Sequence, residues 1–115
     1  ARGHAALILA PGREPVLVSD CYDMDRSEVC ACEIHLSTFV DRDTARAAAE
    51  LGLAGKRIGL AGQAGLLHSA AVCMQDELGL STQIVPADHL LTKLRLIKSA
   101  HEVNLLRDAS RIGCE

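Results

Sequence analysis

The sequence predicts an α/β domain, a mixed β-sheet flanked by helices. Three observations predict it. Two short apolar runs bracket a Pro-Gly turn near the start of the chain, which is hairpin grammar. The pattern helix, Gly, Leu, turn, strand then occurs twice, as "ELGLAGKRIGL" from Glu50 and "ELGLSTQIVPA" from Glu77. Finally, an amphipathic, alternately charged segment with a strong helix start closes the chain. A hairpin followed by alternating helices and strands is the element order of an α/β layer architecture.

Composition bounds what such a domain can do. A chain of 115 residues, 49% hydrophobic, is enough for one core, and folding should bury roughly 65% of its unfolded surface. Tyr22 and Phe39 are the aromatic residues and there is no Trp, so the core must come from Leu, Ile, Val and Ala. Single-stranded nucleic-acid binders need rings on which bases stack, and phosphate binding needs a basic excess. With two rings and a net charge of −3, nucleic acid is not an expected partner. No apolar run approaches the roughly 20 residues of a membrane span, and the N-terminus lacks signal-peptide order. The five cysteines form no disulfide framework, which fits a reducing cytoplasm.

Taken in order, Ala5–Ala10 and Val16–Ser19 are the arms of a hairpin turning at Pro11-Gly12-Arg13-Glu14, with Pro15 opening the second arm. In "DCYDMDRSEVCACE", Asp20 or Asp23 can cap a short helix, and Val29–Thr38 returns as a strand. Asp41 or Asp43 caps an Ala-rich helix that ends where Gly52 supplies a left-handed residue. Arg57–Ala61 follows as a short buried strand. Leu67, Ala70, Ala71, Met74 and Leu78 make one stripe of the next helix, and Gly79 ends it. "STQIVPA" is a strand, and the two helix–strand units are expected in one sheet. A short helix capped at or before Asp88 comes next. In the closing helix, Ser99 and Glu102 have capping-box spacing, and Val103, Leu106, Ala109 and Ile112 form the apolar stripe.

Ligand-binding patterns are weak by comparison. Gly59, Gly62 and Gly65 lie between a strand and a helix, but Leu60 and Ala61 break the Gly-x-Gly-x-x-Gly order of a dinucleotide loop, and Asp88 follows Pro86 rather than closing a strand. "GLAGKR" is too short for a phosphate loop and has no Ser or Thr after Lys56. Cys30-x-Cys32, with Cys21 and His35, lacks the C-x2–4-C pairs of structural zinc, so core packing is the default. Cys73 is expected in the core and Cys114 at the surface. His4, His35, His68, His89 and His101 show no metal spacing and are expected to be surface or half-buried. No catalytic, cofactor-binding or metal-binding residue is assigned.

The segment "LRLIKSAHEVNLLRDASRI" resembles the interdomain junction of the creatinase, aminopeptidase P and Xaa-Pro dipeptidase (prolidase) family of pita-bread metallohydrolases. Leu94, Arg95, Ile97, Lys98, Ser99, Glu102, Val103, Leu106, Arg107 and Ala109 carry the match. "PVLVSD" and "GKRIGLAG" look like family strands. The resemblance implies a creatinase amino-terminal-like α/β fold, truncated at both ends. Residues 1–98 would be the non-catalytic amino-terminal domain, and residues 99–115 the start of the helix leading into a catalytic domain. In the family that second domain binds two divalent ions (manganese, cobalt or zinc) through Asp, Asp, His, Glu and Glu, none of them in this segment. The implied function is to shape substrate access and dimer contacts of a peptidase acting on short Xaa-Pro peptides. Its implied partners are the chain's own catalytic domain, a second copy of the parent and the peptide. Two alternatives stay open: an interaction module of a catalytically inactive relative, and a creatinase-like amidinohydrolase parent. The closing helix is expected to fray or to pack against another surface.

Overall fold

In the hairpin, small and aliphatic residues lie on either side of Pro11-Gly12. Strand β1 (Ala5–Ile8) runs antiparallel to β2 (Val16–Ser19), with Ala5 opposite Ser19 and Ile8 opposite Val16. The turn closes through the Arg13 N–H, which donates to the Ala10 carbonyl at 3.2 Å. The computed structural model describes residues 4–21 and 32–114. Cys30, Asp23 and most of the stretch expected to hold a short helix and the strand from Val29 lie outside the described residues. What is described of that strand is β3 (Glu33–Leu36), which pairs parallel to the free side of β2, Val16 opposite Glu33 and Ser19 opposite Leu36.

This register sorts the side chains by face, because strand residues alternate. Ala6, Ile8, Val16 and Val18 share one face, and the last three are buried under the first helix. Leu7, Leu17 and Ile34 share the other, where Leu7 is 56% exposed. The sheet is therefore apolar on both faces and deeply covered on one.

Helix α1 (Val40–Glu50) covers the buried face, packing on β1 and β2. Its Ala45, Ala47 and Ala48 are all buried, and small side chains allow this close approach. Neither Asp41 nor Asp43 caps it: both lie in the first turn, and the N-cap position is Phe39. The hydroxyl of Ser37 serves the helix start instead. It accepts the Phe39 N–H at 2.9 Å and donates to Asp43 Oδ2 at 2.5 Å, while the Ser37 N–H is held by the Ser19 carbonyl. The C-terminus behaves as expected. Gly52, at φ +80°, donates to the Ala49 carbonyl and Leu53 to that of Ala48, a Schellman closure that requires the left-handed residue.

Strands β4 (Arg57–Leu60) and β5 (Gln83–Pro86) are parallel neighbours, connected through helix α2 (His68–Leu78). β4 is half-buried rather than buried, since Arg57 and Gly59 are exposed while Ile58 and Leu60 are half-buried. On α2, Ala70, Met74 and Leu78 are buried as the stripe predicts, but Leu67 sits at the N-cap and is 68% exposed. Thr82 locks the two repeated turns together: its Oγ1 donates to the Leu78 carbonyl and accepts the Gly55 N–H, both at 2.8 Å. α2 lies beside α1, where Arg46 forms a two-point contact with Glu77 at 3.1 and 3.2 Å.

The single sheet expected from the repeated grammar is not what forms. Among the described residues β1-β2-β3 make one sheet and β4-β5 a separate pair. The two share one core, in which Ile8, Val16, Val18, Val40, Met74 and Leu78 meet Ile58, Leu60 and Ile84. The described residues are thus mixed α/β, with small sheets and four α-helices. The last two helices, α3 (Asp88–Leu96) and α4 (Ala100–Gly113), extend away from that core. The molecule measures 53 × 31 × 30 Å with a radius of gyration of 16.5 Å. A compact domain of this length would have a radius of gyration of about 13 Å.

Candidate functional site

The expected capping box at the start of α4 is fully formed. The Ser99 N–H donates to Glu102 Oε2 at 2.7 Å, and the Glu102 N–H donates to Ser99 Oγ at 3.2 Å. These bonds, with Lys98 nearby, hold the Glu102 carboxyl below its ordinary range. Arg111 in the last turn complements the helix dipole, as do Asp88 and then Lys93 and Arg95 along α3. Both helices are therefore well specified by their own sequence.

They are hardly buried at all. From Asp88 to Cys114, Val103 alone is half-buried and every other residue is exposed. Leu90, Leu91, Leu94, Leu96 and Ile97 are between 43% and 83% exposed. On α4, Leu105, Leu106 and Ile112 are 55%, 54% and 75% exposed. At about 100° per residue, Leu105, Leu106, Ala109 and Ile112 gather on one side of the helix, with Val103 about 60° beyond Leu106. Leu105, absent from the expected stripe, lies within it between Ile112 and Leu106, and Val103 sits at its edge, three residues before Leu106. Isolated helices of this length are marginal in water, and most helical stability comes from packing an apolar face. Leu94, Ile97, Leu106 and Ala109, which carry the resemblance, are all exposed. Arg107 reaches back to Asn104 Oδ1 at 3.4 Å and Arg111 lies 3.9 Å from Asp108, both exposed contacts within α4.

A second feature is an open cleft of about 250 Å³ between the N-terminal turns of α1 and α2, lined by His4, Asp20, Phe39, Asp41, Ser69 and Cys73 among others. Asp20 precedes the stretch expected to hold a short helix, which lies outside the described residues. Its Oδ1 accepts the His4 N–H at 2.7 Å, tying β1 to the end of β2. Cys73, expected in the core, is half-buried on the wall of this cleft. No spacing in the sequence announces the cleft, because its residues come from four separate segments.

The remaining motifs resolve individually. The loop with Gly62 and Gly65 forms a short 3-10 turn, and the Gly62 N–H donates to Asp88 Oδ1 at 2.7 Å. Asp88 therefore fastens that loop to α3; Ala87 is its N-cap residue, without a side-chain bond. His35 Nε2 meets Glu33 Oε1 at 2.7 Å; Cys21 and Cys32 are half-buried and Cys114 is exposed. His4, His68, His89 and His101 are exposed. Among the described residues, no group of three or more His, Cys, Asp and Glu side chains could hold a metal ion. Nor is any described helix long and apolar enough to cross a membrane. No protein-family model, curated protein or solved structure matches this chain.

Proposed function

We propose that this chain is the non-catalytic amino-terminal domain of a Xaa-Pro dipeptidase or aminopeptidase P-like metallohydrolase, and that it shapes substrate access and dimer contacts in the parent. The observation that supports this reading is the pair α3–α4. A junction-like motif runs through a helix with a complete capping box, and that helix presents Leu105, Leu106 and Ile112 to solvent. A well-started amphipathic helix with no buried residue is what a helix leading into a further domain would look like on its own.

The described residues offer no ligand set for the parent's two metal ions, so no step of hydrolysis is assigned to them. The chain's own contribution would be shape: a rigid α/β body fixed to the catalytic domain through the α3–α4 face. The direct test is the product of the complete reading frame, assayed for proline release from Xaa-Pro dipeptides with manganese, and again after chelation. The expected result is metal-dependent release by the complete product and none by residues 1–115 alone. Release by residues 1–115 alone would overturn the proposal. So would a complete product that is inert with every divalent ion, which would favour a binding subunit.

A further inference from the structure

We draw no further inference here: the strongest candidate, the open groove between α2 and the β4–β5 pair lined by Leu60, Leu66 and Met74 together with Gln63, His68 and Gln75, is an unpartnered surface of mixed polarity, and nothing in the structure shows what covers it.

Discussion

Asp43 holds the start of α1 to the sheet. Its carboxyl lies below the ordinary range, first because the Ser37 hydroxyl donates to it and second because Arg42 Nε lies 3.1 Å away. A carboxyl depressed on folding contributes stability above its unfolded value, about 4, and loses it as pH falls through the folded value. The stability difference between the wild type and Asp43→Asn should therefore be constant near neutrality and shrink in acid below pH about 4. Urea midpoints measured across that range check it; a difference that does not change with pH would remove Asp43 from the account. The next residue, Thr44, is buried and its hydroxyl has no hydrogen-bond partner among the described residues. Thr44→Val keeps the shape and removes an unsatisfied group, so it should stabilise by about 1 kcal/mol. Loss of stability on the same urea assay would mean that the hydroxyl is satisfied after all.

At the scale of elements, β4 is seated against the turn that starts α3. A Cβ on Gly59 would stand 2.9 Å from that of Ala87, which is itself buried. Both atoms are fixed to backbone, so Gly59→Ala should cost about 1–3 kcal/mol by overpacking. A melting temperature equal to that of the wild type would contradict this packing. The hairpin, the Schellman closure at Gly52 and the Ser99–Glu102 box were legible in the sequence because each is a local arrangement with a fixed spacing. The start of α1 was misread because Ser37 takes the capping role from before the N-cap position, outside the usual pattern. Separation of β4–β5 from β1–β3 was not legible either. Strand pairing is long-range, and the repeated Gly-Leu-turn grammar specifies only each unit's own helix and strand. The cleft at His4 and Cys73 escaped for the same reason.

For the whole molecule, the elongated shape follows from one fact: the core ends at α2 and the two sheets, while α3 and α4 carry apolar side chains with little to cover them. Amides of residues 103–113 should therefore exchange much faster than those of α1 in this chain. They should become protected in the complete protein if the α3–α4 face is docked there. Equal protection of α1 and α4 in residues 1–115 alone would show that α4 needs no further surface. Whether this body belongs to a metallohydrolase of the creatinase and aminopeptidase P type, as proposed, is decided by reading the coding sequence beyond Glu115. The expected result is an open frame of some two hundred further codons (roughly one more large domain) encoding Asp, Asp, His, Glu and Glu in that order. A stop codon directly after Glu115, or a continuing frame without those ligands, would contradict it.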